Sequence, residues 1–392
     1  MSTTRKFEQH IAVFGESGSG KTVLLSSFYG ATQQPQYLQK SLFNIVADDI
    51  GQGNRLLQNY LGMRDESRLP PPTQFAATSY SFSVKLKDSA DRKARRTRPF
   101  DALRLVWHDY PGEWFEQDVS GPEEAKRRVD TFRSLLVSDV AVLLVDGQRL
   151  RDHAGEEERY LKSLLTNFRN GLLSLKDELL EDGRQLVQFP RIWVMALSKA
   201  DLLPDMDVFG FRDLLIAKAG DDITLLREAM EGIVQGDDAL AVGEDFLLLS
   251  SAKFEANRIE VTERIGVELI LPLAAILPFE RHVRWSQAKQ IPGKVAENLL
   301  GGVGALGSNA LAAALLGSKF RIPGPIGRIQ SVVGLVLPGG MLNDAAGMAG
   351  AKLTAANAHA LAKHDTLAAT LTGFKLDLEK GEERHVLLRS RR

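Results

Sequence analysis

The stretch Gly15-Glu16-Ser17-Gly18-Ser19-Gly20-Lys21-Thr22 fills every fixed position of the pattern G-x-x-x-x-G-K-[ST]. The apolar run 11–14 precedes it, as a buried strand requires, and the residues 23–29 after it are apolar enough for a packed helix. Strand, glycine-rich turn and helix together form the context in which this pattern binds phosphate: N–H groups point inward at the oxygens, and the positive end of the helix adds attraction. The stretch therefore predicts a nucleoside triphosphate site, with a chance glycine-rich turn as the alternative.

Length and composition limit the classes to which this chain can belong. Its 392 residues predict about two or three domains. The absence of cysteine excludes disulfides, thiolate zinc sites and thiol catalysis. The net charge of −1 argues neither for nor against a nucleic-acid partner, and we expect none. The histidines lack ligand spacing, so we expect no transition-metal site. The charged residues 1–10 are unlike a signal peptide, so we expect a cytoplasmic protein.

Alternating strand and helix patterns follow the loop. Residues 79–86 alternate polar and apolar side chains, which predicts a half-buried strand, and residues 103–109 predict a second strand antiparallel to it. Three further stretches predict buried strands separated by helices: 139–147, which ends in a turn, 192–197 and 245–249. This alternation predicts a mostly parallel sheet, in which ligands bind at the carboxyl ends of the strands.

Two long segments have weaker patterns. Residues 30–72 are polar and irregular, apart from a helical stretch around 50–61. Residues 154–184 predict one long charged helix, because leucines recur near a helical period. The basic loop 92–98 is expected to be a solvated hairpin tip, with contact to an anionic lipid or an acidic partner as the alternative.

The amino-acid composition of the chain changes near its C-terminal third. Residues 299–317 carry no charge, but their five glycines keep the hydrophobicity modest for a membrane span. A helix of small residues is expected over 345–362, packed on the core, on its neighbours or on a second subunit in a homo-oligomer. Membrane insertion or peripheral membrane contact through 290–392, and a partly ordered tail, are the alternatives. The basic end 384–392 is expected to be solvated.

Three more motifs stand where predicted strands end. Asp109 and Gly112 follow one strand, where a carboxylate can support a Mg²⁺ ion and a glycine N–H can meet a γ-phosphate. Ser198-Lys199-Ala200-Asp201 and Ser250-Ser251-Ala252-Lys253 follow two others. A helix-capping turn is the alternative interpretation of the segment that ends at Asp201.

These motifs, in this order, resemble those of P-loop GTPases of the translation-factor/Ras-like (TRAFAC) class over residues 8–275, and within it bacterial GTPases of the double-GTPase type. The resemblance implies an α/β fold, a Ras-like P-loop three-layer sandwich whose mostly parallel sheet has one antiparallel strand. It implies a GTPase domain over 1–278 with an extended first-switch region over 30–100, followed by a C-terminal helical, Gly/Ala-rich region over 279–392. It also implies a GTP-hydrolysing switch that binds GTP or GDP with Mg²⁺.

The resemblance also implies residue roles at the phosphates. Residues 15–22 would hold the phosphates, with Lys21 clamping the β- and γ-phosphates. Thr22 would bind Mg²⁺ directly, and Asp109 would support the ion through water. The Gly112 N–H would sense the γ-phosphate.

The base would be recognised by the two later motifs. Asp201 would accept the two N–H donors on the guanine edge, which adenine does not present. The stem of Lys199 would lie along the base, and the Ala252 N–H, between Ser251 and Lys253, would meet the guanine carbonyl oxygen. Ser198 stands where the family usually has asparagine, which supplies more hydrogen bonds to the loop.

Two further departures concern hydrolysis. Glu113 stands where Ras-like enzymes place the glutamine that orients the attacking water, so we expect slow intrinsic turnover. The gap between the first two motifs is longer than in a minimal Ras-like domain, which makes the switch threonine that binds Mg²⁺ harder to place. Thr73 is our choice and Thr78 the alternative, while Arg68 is a surface arginine or else a cis arginine finger.

Other functions remain open at this point. A P-loop ATPase shares the first motif but has no role for Asp201. A nucleotide-binding scaffold with little hydrolysis is consistent with Glu113, and a membrane-associated GTPase with the Gly-rich C-terminal region. A switch would also require a protein effector or regulator as partner.

Overall fold

The computed structural model describes residues 6–71, 78–87, 102–109, 112, 121–136, 138–180, 183–184, 192–233, 242–255, 257–288, 350–362 and 365–390. Thr73, Glu113, the basic loop 92–98 and the uncharged run 299–317 lie outside these residues.

The described strands form one large sheet and one small hairpin. They are β1 (Lys6–Phe14), β2 (Phe43–Ala47), β3 (Thr78–Leu86), β4 (Ala102–Asp109), β5 (Val140–Asp146), β6 (Ile192–Ser198), β7 (Asp245–Leu248), β8 (Lys253–Glu255), β9 (Arg258–Glu260) and β10 (Leu387–Leu388). In the described part of the chain, β8 pairs only with β9, and the other eight strands lie in the order β10-β7-β6-β5-β1-β4-β3-β2.

The predicted mostly parallel sheet is confirmed. Strands β4, β1, β5, β6 and β7 run parallel, and Ile11 of β1 lies between Trp107 of β4 and Val140 of β5. Strand β3 is antiparallel to β4, as predicted. The structure adds a second antiparallel strand at the opposite edge, where β10 pairs with β7.

Helices cover both faces of the sheet. They are α1 (Lys21–Thr32), α2 (Pro35–Lys40), α3 (Ile50–Glu66), α4 (Pro122–Leu136), α5 (Gly147–Asp152), α6 (Glu157–Ser174), α7 (Lys176–Leu179), α8 (Val208–Glu231), α9 (Ile270–Ala288), α10 (Gly350–Ala362) and α11 (Thr366–Glu383). Single turns of 3₁₀-helix are formed by Ala200–Leu202 and Val267–Leu269.

The alternation of side chains along β1 separates two apolar cores. Ile11 and Val13 face a core shared with α1, α9 and α11, whereas Ala12 and Phe14 face a core shared with α4, α6 and α8. Because successive side chains of a strand point to opposite faces, a strand buried on both faces joins two helical layers. The α/β three-layer sandwich predicted from the resemblance is confirmed.

Two predictions about local structure are wrong. Residues 30–72 are not irregular outside one helix, because they also contain α2 and the edge strand β2. Strand β2 has only five residues, with Phe43, Ile45 and Ala47 buried in alternation, which is too short for a clear pattern. The single long helix over 154–184 is also wrong, since α6 ends at Ser174 and the short helix α7 follows.

The described C-terminal elements pack on the sheet. Phe374 of α11 contacts Phe43 of β2 edge to face, with ring centroids 5.3 Å apart. The expected helix of small residues is present as α10. The domain boundary at 278/279 stays a prediction, and α9 runs across it. Within the described residues, no helix has the length and apolar character needed to span a bilayer.

The expectation of a solvated basic end holds for Arg384 and His385, which are exposed, and is wrong for residues 386–390. The side chain of Arg389 is 13% exposed, and its guanidinium lies 2.6 Å from Glu382 and 3.3 Å from Glu280. Leu387 is buried where β10 pairs with β7. The pair of Arg389 with Glu280 and the pairing of β10 with β7 join positions that are far apart in the sequence, so no local pattern of charges reveals them.

A buried ion pair fixes the start of β7. Asp245 is fully buried, and Arg281 of α9 donates to both of its carboxylate oxygens, at 2.6 and 2.7 Å. Burial raises the pKa of Asp245 to about 6, although the positive charge of Arg281 and the N–H of Ser390 oppose that shift. The carboxylate is therefore ionised at pH 7, and its charge is held by α9 and by the C-terminal segment.

The pair predicts a large loss of stability for Arg281→Ala. Removing the cation leaves the carboxylate of Asp245 in the core, which costs about 3–5 kcal/mol in the free energy of unfolding. Urea denaturation measures this loss. Lys162→Ala, which removes an exposed pair with Glu158, is the control and should cost at most about 1 kcal/mol. Equal losses in the two variants would show that the pair does not hold the segment.

Candidate functional site

The loop after β1 has the conformation that its glycines predict. Gly18 and Gly20 have φ angles of 78° and 93°, in the left-handed region that glycine adopts without strain. A Cβ atom at Gly15 would lie 2.6 Å from Ser19 Oγ. The loop therefore wraps tightly between β1 and the first turn of α1.

Polar groups of this loop are drawn together under the backbone. Lys21 is buried, and its Nζ donates to the carbonyl oxygens of Gly15 at 2.6 Å and Glu16 at 3.0 Å. Ser19 Oγ is also buried and has no hydrogen-bond partner among the residues that the structure describes. A buried hydroxyl without a partner costs free energy, which a ligand that accepts its hydrogen bond would recover.

The glycine of the second motif touches the loop. A Cβ atom at Gly112 would lie 2.5 Å from the backbone nitrogen of Ser17 and 2.6 Å from the carbonyl carbon of Glu16. Only glycine permits this approach of two backbones. Asp109, at the end of β4, is 2% exposed and lies behind the cavity rather than on its wall.

A neutral histidine precedes Asp109. His108 Nε2 lies 2.9 Å from His10 Nδ1, and His108 Nδ1 lies 3.0 Å from Ser79 Oγ. Burial, followed by the neighbouring His10, lowers the pKa of His108 to about 4. Its imidazole is therefore uncharged at pH 7.

The loop after β6 carries the third motif. Lys199 has a φ angle of 53°, which is uncommon for a residue with a side chain, and its Nζ lies 2.8 Å from Asp146 Oδ2. Ser198 Oγ donates to the Val145 carbonyl at 3.3 Å. These contacts attach the loop to the end of β5.

Ser250, in the fourth motif, orients the carboxylate of Asp201 in the third motif. Ser250 Oγ donates to Asp201 Oδ1 at 2.6 Å and lies 3.0 Å from the carbonyl oxygen of Ala252. The backbone N–H of Ala200 donates to the Leu249 carbonyl at 3.0 Å. The third and fourth motifs thus form one unit, which we call the base loop (residues 198–201 and 250–252).

The short helix α5 lies between the glycine-rich loop after β1 and the base loop. Asp146 caps it by accepting the N–H of Gln148 at 2.9 Å. Arg149 Nη1 lies 2.7 Å from Glu16 Oε2, and the carboxylate of Glu16 is almost fully buried. A Cβ atom at Gly147 would lie 2.6 Å from the Ser198 carbonyl oxygen, so α5 and the base loop are in backbone contact.

These parts enclose a cavity of about 600 Å³, a volume that suits a small molecule. The cavity is lined by Ser17, Gly18, Ser19, Gly20, Lys21, Thr22, Val23, Leu24, Leu69, Pro70, Pro71, Gly112, Leu144, Gln148, Arg151, Ser198, Lys199, Asp201, Leu202, Leu249, Ser250, Ser251, Ala252 and Phe254.

The structure brings most of the candidate residues together at this cavity and places others elsewhere. Gly15 and Glu16 do not line the cavity. Lys253 is exposed, with its Nζ 3.3 Å from Glu263, because its side chain points away from the cavity at the start of β8. Arg68 is exposed beside Glu66, at 3.3 Å, and does not line the cavity.

The threonine that would bind a metal is not placed by the structure. Thr73 lies outside the described residues, as does Glu113. The backbone of Thr78 pairs with Asp109 at the edge between β3 and β4. The choice between Thr73 and Thr78 therefore stays open.

Sequence reasoning missed several lining residues. Gln148 and Arg151 follow β5, and their position at the carboxyl end of a parallel strand was a usable signal. Ser250 belongs to the fourth motif, but its contact with Asp201 was not foreseen, because it joins two loops that are distant in sequence. Phe254 and the segment 69–71 carry no recognisable signal.

The residues present fit an anionic nucleotide and a hard cation. Positive φ angles at glycine, the buried ammonium of Lys21 and the hydroxyl of Ser19 suit phosphate oxygens. The hydroxyl of Thr22 lines the cavity, and the carboxylate of Asp109 lies at the end of β4. Oxygen ligands of this kind are those that Mg²⁺ prefers.

Comparison with known proteins gives one family and several distant structures. A model of the Double-GTPase 2 family matches residues 9–219, more than half of the chain. No curated protein matches the chain.

Three solved structures illustrate the distant likeness. A signal recognition particle receptor complex from Chaetomium thermophilum is 18% identical, with a TM-score of 0.32, over 66% of this chain and 95% of that chain. Nucleolar GTP-binding protein 1 from Plasmodium falciparum is 13% identical, with a TM-score of 0.30, over 74% and 95%. A septin GTPase domain from Chlamydomonas reinhardtii is 16% identical, with a TM-score of 0.25, over 64% and 78%.

The contact between α5 and the base loop predicts that Gly147→Ala destabilises the fold. The new Cβ atom would meet the carbonyl oxygens of Ser198 and Lys199 at 2.6 and 2.9 Å, and backbone atoms cannot move as cheaply as a side chain. Thermal and urea unfolding should show a loss of about 1–3 kcal/mol.

Gly220→Ala is the matched control, because a Cβ atom there meets nothing within 4 Å and the residue lies inside α8. Its stability should stay equal or rise by up to about 1 kcal/mol. A Gly147→Ala variant as stable as this control would mean that α5 is not packed against the base loop.

Proposed function

Because the chain belongs to the Double-GTPase 2 family, we propose that its cavity binds GTP and GDP and that the protein hydrolyses GTP as a switch. One observation carries this proposal: a single cavity is lined both by the glycine-rich loop and by Asp201 with its orienting serine. The glycine-rich loop would suit the phosphates of a guanine nucleotide, and Asp201 would suit its base.

The phosphates would lie on the loop after β1. Its inward N–H groups and the N-terminus of α1 attract anions, and Lys21 adds a full positive charge. Lys21 Nζ now donates to two carbonyl oxygens, so it is already held beside the place where β- and γ-phosphate oxygens would enter. Ser19 Oγ would gain an acceptor there.

The guanine base would be recognised by the base loop. Asp201 would accept the two N–H donors of the guanine edge, and Ser250 fixes the carboxylate in position. Adenine lacks this pair of donors, and leaving a buried acceptor unsatisfied costs about 1–3 kcal/mol or more for a charged group. The stem of Lys199, anchored through Nζ to Asp146, would cover one face of the base.

Magnesium would be held by Thr22 directly and by Asp109 through water, with Thr73 as the proposed switch ligand. When bound, Mg²⁺ offsets part of the negative charge of the phosphates. The close approach of Gly112 to the loop supports the proposal that its N–H senses a γ-phosphate. A change of nucleotide would then alter the segment that follows Gly112 and so change affinity for an effector or regulator.

Turnover is proposed to be slow. Glu113 would orient the attacking water or accept its proton, but its negative charge is repelled by the charge that develops on the phosphates. A nucleotide-binding scaffold with little hydrolysis is the second candidate, favoured by the same glutamate. An ATPase is disfavoured, because adenine does not present the two adjacent N–H donors that the carboxylate of Asp201, oriented by Ser250, would accept.

Replacing the carboxylate of Asp201 by an amide, which turns one hydrogen-bond acceptor into a donor, tests the proposal. Asp201→Asn should lose at least about tenfold in affinity for GDP and gain affinity for xanthosine diphosphate, since xanthine presents a carbonyl where guanine presents an amino group. Isothermal titration with GDP, xanthosine diphosphate and ADP measures the exchange.

Asp205→Asn is the matched control, because Asp205 is exposed on the same loop and does not line the cavity. It should bind all three nucleotides as the wild-type protein does. If Asp201→Asn kept the preference of the wild type, Asp201 would be a capping residue and not a base contact.

A further inference from the structure

We propose that Arg151 is a catalytic residue, a cation that contacts the phosphates of bound GTP and stabilises the charge that develops during hydrolysis. The proposal rests on the proposed function of the same site. None of the sequence motifs contains Arg151, and the arginine considered from the sequence, Arg68, is exposed beside Glu66 and does not line the cavity.

Helix α5 turns Arg151 toward the cavity. Gln148 and Arg151 are three positions apart, so they lie on the same face of the helix, and both line the cavity. Arg149 and Leu150 face elsewhere: Arg149 pairs with Glu16, and Leu150 is buried in the core below the sheet.

Helix α5 runs between the base loop and the glycine-rich loop after β1. At the start of the helix, Gln148 Oε1 lies 3.4 Å from Lys199 Nζ in the base loop. Further along, Arg149 reaches Glu16, the second residue of the phosphate-binding loop. Arg151 follows two positions later, in the last turn of the helix, and lines the same cavity as Ser17 and Gly18.

The backbone of Arg151 is fixed while its side chain is available. Asp146 caps α5, Gly147 contacts the base loop, and Arg149 is held between Glu16 and the ring of Tyr160, 6.0 Å away. The side chain of Arg151 is about half exposed, and its pair with Asp152 measures 3.6 Å. An exposed pair of this kind contributes little, so a phosphate can displace it.

The other charged residues of the cavity indicate what Arg151 would do there. Four charged residues line its described part: Lys21, Arg151, Lys199 and Asp201. Lys199 is paired with Asp146, and Asp201 is assigned to the base. Lys21 and Arg151 therefore supply positive charge to the phosphates, and a planar guanidinium can donate two parallel hydrogen bonds to phosphate oxygens.

The reaction shows where that charge acts. The oxygen of water bonds to the γ-phosphorus, the bond from that phosphorus to the β–γ bridging oxygen breaks, and GDP leaves with the electron pair. The proton of the water passes to the phosphate that is released, so GTP and water give GDP and phosphate. Negative charge builds on the bridging oxygen and on the γ-phosphate oxygens, where Arg151 donates hydrogen bonds and is itself unchanged.

Single-turnover GTP hydrolysis, with affinities for GDP and GTP measured beside it, tests the assignment. Arg151→Ala should lower the rate by at least about tenfold, because one lost donor to developing charge commonly costs more than that. Its affinity for GDP should stay within about threefold of the wild type, and Arg151→Lys should recover part of the rate. Arg159→Ala, on the exposed face of α6, is the control and should hydrolyse GTP at the wild-type rate.

Two results would overturn the assignment. One is a rate for Arg151→Ala equal to that of the wild type; the other is a loss that is fully explained by equally weaker binding of GDP and GTP. Wild-type protein that binds GDP but releases no phosphate would contradict a catalytic Arg151 and leave the binding proposal standing. Wild-type protein that binds no GDP would instead refute the proposed function itself.

Discussion

The parallel register of β1, β5 and β6 is the constraint on which the site depends. Phe14 lies opposite Leu143, and Val145 lies opposite Leu197. The carboxyl ends of the three strands therefore lie side by side. All of these side chains are buried, and a slip by one residue would turn each of them to the wrong face. The loops that follow the strands are therefore brought together by the apolar core beneath them, before any ligand is present.

Ion pairs arrange the polar groups above that core. Glu16 and Asp146 are buried carboxylates at the ends of β1 and β5, and each is matched by a cation from another loop, Arg149 and Lys199. Buried pairs of this kind cost desolvation and contribute more to a unique geometry than to stability. Here they hold α5 between the glycine-rich loop after β1 and the base loop, and Lys21 and Arg151 line the cavity beside them.

The sequence was sufficient where a local pattern determines the structure. The glycine-rich loop, the strands that end in motifs and the hairpin of β3 and β4 follow from side-chain periodicity and turn chemistry. Fold class and the grouping of motifs at one sheet edge were therefore predictable.

Features that depend on distant contacts were not predictable. Strand β2 is too short for a pattern and becomes a strand because it pairs with β3. Arg389 looked like part of a solvated end, yet it pairs with Glu280, more than a hundred positions earlier. The role of α5 likewise emerges only from the contact between Arg149 and Glu16, which no spacing rule connects.

The central claim is that one cavity binds both the phosphates and the guanine base of the nucleotide. Displacement of a fluorescent GDP analogue from the wild-type protein, in the presence of Mg²⁺, measures this most directly. We predict that unlabelled GDP displaces the analogue at a concentration at least about a hundredfold below that of ADP, because a site built to bond one base edge rejects a base that lacks it. Displacement by GDP and ADP at the same concentration would contradict the account.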